Sequence, residues 1–356
     1  MSRQIVPLLR RARAEAILFW SLENIRYLCG FSGSDGALVA TAEERFFLSD
    51  FRYQEQAGLE LRGAEFVIYK QKLPGIFRLI RSLRVKRLGF EAAAMPFASY
   101  RQLKEGLPRV SLVPLTDALN RLRIRKDQEE VEKIRRAARI AAESFGDTRT
   151  RLRAGTPERK AAEYLDCRMR RHGAEKASFD TIVASGPRAA LPHGAPTEKK
   201  LQPGETVIVD FGARFQGYAS DETKTLILGE PDGRQREIYG IVRRAQEEAF
   251  RAIRPGVQMR RIDAAARGVI ERAGYGKFFG HGTGHGVGLA VHEEPRLSPR
   301  GKGVAEEGMV FTVEPGIYLP GWGGVRLEDM VLVTKDGFEK LTYLSKEISE
   351  NAGAGG

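Results

Sequence analysis

The 356-residue chain has no apolar run near the roughly 20 consecutive residues that a membrane span needs, so no membrane partner is expected. Its first residues, MSRQIVPLLRRARAEAIL, lack the long apolar core and small-residue cleavage site of a secretory leader, and the expectation is a cytoplasmic protein. Cysteine is scarce. The two present, Cys29 and Cys167, fall in different predicted domains, which argues against a structural disulfide and fits a reducing compartment. Acidic residues are outnumbered, 46 against 58 Lys and Arg, for a net charge of +12. Such an excess can signal a nucleic-acid partner, but here the cations alternate with acids, as in RIRKDQEEVEKIRRAARIAAE. That reads as a solvated helical face, and no nucleic acid is expected. Histidine is also sparse, yet three of the five, His281, His285 and His292, share one glycine-rich stretch, FFGHGTGHGVGLAVHEEP.

The pattern along the chain predicts an α/β (α+β) protein of two domains, residues 1–122 and 123–349, with a flexible tail at 350–356. In the first domain short apolar strands are expected at 16–19, 36–40, 46–48, 66–69, 88–90 and 110–113, with helical stretches between them. A boundary near Asn120 to Arg125 leads to an amphipathic helix from Asp127 to about Phe145. A second helix is expected from Pro157 to His172, with Thr156 as its N-cap and Pro157 at the first helical position. From Phe179 strands dominate, broken by helices at 235–252 and 259–273.

The chemistry-bearing residues all fall in the second domain. In VIVDFGARFQGYASDETKTLIL two β-branched runs flank a tight turn, with Phe215-Gln216 or Gln216-Gly217 as its two-residue loop. Either way the parity puts Asp210 and Asp221 on one sheet face, directly opposite or one diagonal step apart. GMVFTVEPGIY gives Glu314 at the end of an apolar strand stopped by Pro315-Gly316, and GGVRLEDMVLVT gives Glu328 at the start of the next. Each alone has an ordinary structural explanation. Together they do not, because ionisable side chains rarely sit inside apolar runs unless paired or bound to metal, and here it happens at Asp210, Asp221, Glu314 and Glu328. Facing carboxylates repel unless a proton or a cation intervenes. With His285 they form a hard, oxygen-rich set suited to two divalent ions, Mn²⁺ first, with Co²⁺ or Zn²⁺ as alternatives.

Those residues, set in Asp-Phe-Gly, Ser-Asp-Glu-Thr-Lys-Thr, Gly-His-Gly-Val-Gly-Leu, Glu-Pro-Gly and Arg-Leu-Glu-Asp, resemble the Xaa-Pro peptidases, aminopeptidase P and prolidase, of the pita-bread metallopeptidases. SFDTIVASGPRAALPHG resembles the family's segment ahead of the first Asp. IRYLCGFSGSDGALVA with FFLSDFRYQEQAG resembles the accessory domain of short bacterial aminopeptidase P-like enzymes, so the likeness spans nearly the whole chain. It implies a pita-bread catalytic domain behind a smaller, creatinase-like N-terminal α/β domain, and a homodimer.

By the same resemblance Asp210 chelates one metal, His285 and Glu314 the other, and Asp221 and Glu328 bridge. A metal-bridging hydroxide then attacks the scissile carbonyl, with Glu314 carrying the proton to the proline nitrogen. His193 and His292 match residues that contact the scissile carbonyl, and His281, Tyr318 and Arg326 match residues lining the proline pocket. The segment Ser49-Asp50-Phe51-Arg52-Tyr53 tips the reading towards an aminopeptidase acting at the N-terminus of proline-containing peptides, with a prolidase, the Xaa-Pro dipeptidase, as the alternative. Asn24 departs from the pattern, standing where larger aminopeptidases P can carry an acidic residue, which leaves recognition of the substrate amine open.

Other classes fit less well. Metal-free binding modules of this fold lack ligands that are all present here. GHGTGHGVG does not spell the dinucleotide fingerprint and is not followed by the expected helix and acidic residue. Methionine aminopeptidase lacks a domain like residues 1–120, and creatinase has the two-domain plan without the metal set.

Overall fold

A computed structural model describes residues 2–116, 121–346 and 348. Asn120, where the predicted boundary begins, and the predicted tail fall outside them. The chain divides into two compact units, Met1–Arg123 and Ile124–Gly356.

In the first unit, β1 (Ala16–Phe19), β2 (Ala37–Ala40), β3 (Arg45–Ser49), β4 (Glu65–Ile68), β5 (Arg87–Glu91) and β6 (Ser111–Leu115) form one sheet in the order β4-β3-β2-β1-β5-β6. Successive side chains of a strand leave opposite faces. Ile17 and Phe19 therefore join one apolar cluster with Leu38 and Phe47, while Ala16 and Leu18 join another with Val39, Leu48 and Leu88. Helices α1 (Ser2–Ala12), α2 (Leu22–Cys29) and α3 (Gln54–Glu60) pack in the first cluster, and α4 (Lys72–Ser82) and α5 (Phe97–Gly106) in the second. Burial on both faces is why the inner strands read as continuous apolar runs. The Asn24 side-chain NH₂ donates locally to the Glu91 carboxylate, which also accepts the Ser21 N–H at 2.6 Å.

The second unit rests on two helix pairs. The first is α6 (Gln128–Thr148) with α7 (Glu158–Arg171), and the second is α8 (Gly233–Ala252) with α9 (Met259–Arg272). Asp127 and Glu130 form a capping box that starts α6, and Asp232 with Gln235 does the same for α8. The start of α7 differs from expectation. Its cap is Pro157 in extended backbone, with no side-chain cap bond, because Pro157 bridges to Lys200 and Glu158 turns inward. Against α6 and α7 lie β8 (Ile182–Ser185), β9 (Thr206–Phe211) and β12 (Glu222–Ile227), whose Val183, Val207, Val209, Phe211 and Leu226 meet Ile140, Phe145, Leu165 and Met169. Against α8 and α9 lie β15 (Val310–Val313) and β18 (Asp329–Val333), whose Phe311, Val313, Val331 and Val333 meet Val242, Ala245, Ile262 and Ala266. Strand β15 also pairs with β13 (Gly284–Gly286), whose other partner is β14 (Glu293–Leu297). A separate hairpin joins β16 (Gly316–Leu319) to β17 (Gly323–Arg326). No described helix is long and apolar enough to cross a membrane.

Candidate metal centre

Strand parity aims the first two carboxylates. Because Val207, Val209 and Phe211 face the helices, Asp210 must face the other way. The antiparallel register sets Thr223 opposite Asp210 and Glu222 opposite Phe211. The same register continues through β10 (Ala213–Phe215), which also pairs with β7 (Lys176–Ala177), and β11 (Tyr218–Ala219), where Phe215 pairs with Tyr218. The loop is therefore Gln216-Gly217, at φ 46° and 84°, the two left-handed residues of a type I′ turn. Carried along, this register puts Asp221 opposite Gly212, one diagonal step from Asp210. Gly212 admits no side chain: a Cβ there would lie 1.9 Å from the Ser220 carbonyl oxygen.

The second pair follows the same logic. Phe311 and Val313 face the helical core, so Thr312 and Glu314 face away, and the β15–β18 register, Val313 against Asp329, runs on to set Glu314 against Glu328. Both residues then leave their ladder. The Glu314 N–H donates to the Thr283 carbonyl at 2.8 Å, and the Glu328 N–H donates to the Thr223 carbonyl at 3.2 Å. His285 comes from β13 beside a bulge, its N–H donating to Thr312 Oγ1 at 3.1 Å.

Asp210, Asp221, His285, Glu314 and Glu328 line a single cavity of about 610 Å³, and His193, His281, His292 and Arg326 line it too. One ligand atom each from Asp221, His285 and Glu328 lies within 4.8 Å of the others. Burial drives the Asp221 carboxyl well above the usual range, and the charges of Glu328 and Asp210 push it further. Glu328 is raised by burial and by Glu314 and Asp210, and Glu314 is raised mainly by burial. The His285 Nδ1 faces the Gly286 carbonyl at 3.1 Å, so it carries the hydrogen and Nε2 presents its lone pair. That lone pair faces Asp221 Oδ2 at 3.5 Å and Glu314 Oε1 at 3.4 Å, and burial lowers the imidazole's pKa. A lone pair aimed at two carboxylates calls for a cation or a proton between them. Asp210 Oδ1, buried without a protein partner, makes the same demand. The donor set fits divalent metal ions.

Arg326 is buried and offsets one of the four carboxylates: its Nη2 donates to Asp210 Oδ2 at 2.7 Å. Its Nη1 reaches the Tyr318 hydroxyl and the Pro192 carbonyl, both at 3.0 Å. Tyr318 is not among the cavity-lining residues; it stands behind that wall, its hydroxyl 2.9 Å from His281 Nε2, and burial with Arg326 alongside leaves its phenol at about 12. His292 sits with its ring 4.2 Å from that of His285, and burial, helped by His285, pushes it down to about 4, so it is neutral near pH 7.

Two further residues belong here that the motif reading passed over. Thr223 Oγ1 donates to Glu328 Oε2 at 2.5 Å and accepts from Arg326 Nε at 3.0 Å. Thr312 Oγ1 donates to Glu314 Oε1 at 3.2 Å while accepting from His285. Each lies two residues from a ligand, hence on the same face, and that spacing was the available signal.

The family model described as metallopeptidase family M24 matches residues 132–335, and that of the creatinase/prolidase N-terminal domain matches residues 3–125. The chain belongs to metallopeptidase family M24. This M24 chain is 36% identical to an Xaa-Pro dipeptidase of Pyrococcus horikoshii over 97% of each chain. Its structure is similar to an Xaa-Pro dipeptidase from Bacillus anthracis (TM-score 0.94, 38% identity, 98% of both chains covered). It is also similar to an X-Pro aminopeptidase from Thermotoga maritima (TM-score 0.91, 35% identity, 98% and 99% covered). The two-domain pita-bread fold of the family accounts for both units. Between the two activities raised by the sequence, the relatives shift the weight from aminopeptidase to dipeptidase.

Proposed function

We propose that this M24 metallopeptidase hydrolyses the Xaa-Pro bond, with dipeptides as its main substrates. The observation carrying the reading is the convergence of Asp210, Asp221, His285, Glu314 and Glu328 on one cavity, with the His285 lone pair and two carboxylate oxygens facing each other. Asp210, Asp221, His285, Glu314 and Glu328 would hold two divalent ions, Mn²⁺ foremost, which when bound supply an activated water and polarise the carbonyl.

The chain's own groups do the rest. Arg326 fixes one Asp210 oxygen and leaves the other for a cation. Glu314, whose carboxyl burial raises, is suited to take a proton from the attacking water and pass it to the departing proline nitrogen. His193 and neutral His292 stand in the cavity wall to donate to the carbonyl oxygen as charge develops there. His281, oriented by Tyr318, would flank the proline ring.

The dipeptide preference is supported by the named relatives and by Arg296. This guanidinium lines the cavity with its side chain largely exposed, 3.9 Å from Glu294, and suits the free carboxylate that a dipeptide carries on its proline. The second reading, an aminopeptidase, is favoured by the likeness to the Thermotoga enzyme. The test is hydrolysis of Ala-Pro and Ala-Pro-Ala by Mn²⁺-loaded and chelated protein, with Ala-Ala-Ala as control. Cleavage of Ala-Pro in preference supports the dipeptidase, faster release of Ala from the tripeptide moves the assignment to an aminopeptidase, and no metal-dependent cleavage of either overturns both.

A further inference from the structure

We propose that Glu158 is a positioning residue that holds the cleft wall bearing His193, by clamping both ends of the segment that carries it. The substrate readout of this proposal rests on the peptidase reading above.

Glu158 is the first residue of α7 and fully buried. Its Oε1 accepts the N–H of Ser185 at 2.9 Å and the hydroxyl of Ser185 at 2.8 Å. Its Oε2 accepts the N–H of Thr197 at 3.1 Å, the hydroxyl of Thr197 at 2.8 Å and Arg188 Nε at 3.0 Å. One carboxylate thus grips the chain just before the segment, just after it and once within it. Arg188 completes the closure, donating through Nη2 to the Ala195 carbonyl at 2.6 Å. The position favours the charge as well, since the first turn of a helix stabilises an anion.

The clamped segment is the part that reaches the cavity. Pro192, His193, Ala195 and Pro196 line it, while Leu191 beside them is half exposed. Little apolar packing fixes this tip, so its height above the metal ligands depends on polar anchors: Glu158 at its base and the Arg326 bond to the Pro192 carbonyl at its crest. A backbone shift of about an ångström at a group meant to touch a scissile carbonyl is enough to cost a large factor in rate. Arg326 keeps Thr223, Tyr318 and Asp210 without Pro192, so metal binding should not feel the loss of the clamp.

The test is Glu158→Gln in the full-length, Mn²⁺-loaded chain. The amide can still accept from Ser185 but loses an acceptor for Thr197 and Arg188. We expect faster amide exchange confined to 186–197, Mn²⁺ affinity by calorimetry unchanged within about twofold, and kcat/KM for Ala-Pro down about tenfold. In a His193→Ala background the same substitution should cost under about twofold, because the wall no longer carries the group being positioned. Unchanged exchange in 186–197, or an equal loss of activity with and without His193, overturns the proposal. Should Glu158→Gln not fold, Thr197→Val removes the contacts of one hydroxyl and is expected to give the same pattern at smaller amplitude. If the wild-type chain cleaves neither Ala-Pro nor Ala-Pro-Ala, the peptidase reading fails, and the exchange arm alone decides whether the clamp exists.

Discussion

Replacing Thr223 by valine tests how far the site depends on groups that never touch metal. Thr223 is fully buried, opposite Asp210 in the ladder, and its one hydroxyl serves two ionisable partners, donating to Glu328 Oε2 at 2.5 Å and accepting from Arg326 Nε at 3.0 Å. Valine keeps the branched shape and the strand preference, so little cavity is created. What is lost in the chelated protein is a hydrogen bond to the charged guanidinium, worth about 1.5–3 kcal/mol, and one to the protonated Glu328 carboxyl, worth about 1 kcal/mol, with the guanidinium N–H left buried and unpaired. We expect a value near the lower end, about 3 kcal/mol in all, because Arg326 retains Asp210, Tyr318 and Pro192. For a unit of this size that lowers Tm by about 6–12 °C in the chelated protein. Mn²⁺ affinity should fall about 10–100-fold, since Glu328 is no longer oriented. Scanning calorimetry with chelator and titration calorimetry with Mn²⁺ read the two effects, and Thr223→Ser, which keeps the hydroxyl, should recover most of both. A valine variant melting within about 1 °C of wild type and binding Mn²⁺ equally would refute the argument.

Three other outcomes follow from buried groups. In chelated protein the raised Asp221 and Glu328 carboxyls hold protons that the unfolded chain releases near pH 4, so their stabilising contribution is full below about pH 4 and is lost as pH rises through the folded values. Melting of the chelated protein should therefore fall as pH rises above about 4, Mn²⁺ should remove that slope and Asp221→Asn should flatten it; an upward slope would contradict the like-charge reading. Lys346→Met strands Glu222, which is 1% exposed, and weakens Asp329, which is 0% exposed and 3.5 Å away. Because Lys340 still reaches Asp329 at 3.1 Å, a loss near the low end, about 3 kcal/mol in thermal unfolding, is expected, and an unchanged melt would show the pair to be dispensable. Burial pushes the Cys29 thiol up to about 11 while Cys167 is exposed, so thiol titration of the native protein at neutral pH should count one reactive group, and two only after denaturation.

The sequence alone determined the secondary structure that carries the site. The parity of VIVDFGARFQGYASDETKTLIL put Asp210 and Asp221 on one face because a strand repeats every two residues, and the apolar runs before Glu314 and after Glu328 marked carboxylates that burial would not tolerate unaided. The capping residues Asp127 and Asp232 likewise act through neighbours three positions away, within reach of local reading. What local spacing cannot hold is the meeting of the two sheets. That Glu328 spends its N–H on Thr223, that Arg326 crosses to Asp210, and that Thr312 holds both His285 and Glu314 depend on contacts between residues up to 116 apart in the chain. The N-cap of α7 departs from the local expectation for the same reason: Pro157 and Glu158 obey the distant partners Lys200, Ser185 and Thr197. Strand periodicity tells a side chain which face to take. Only packing decides what waits on the other side.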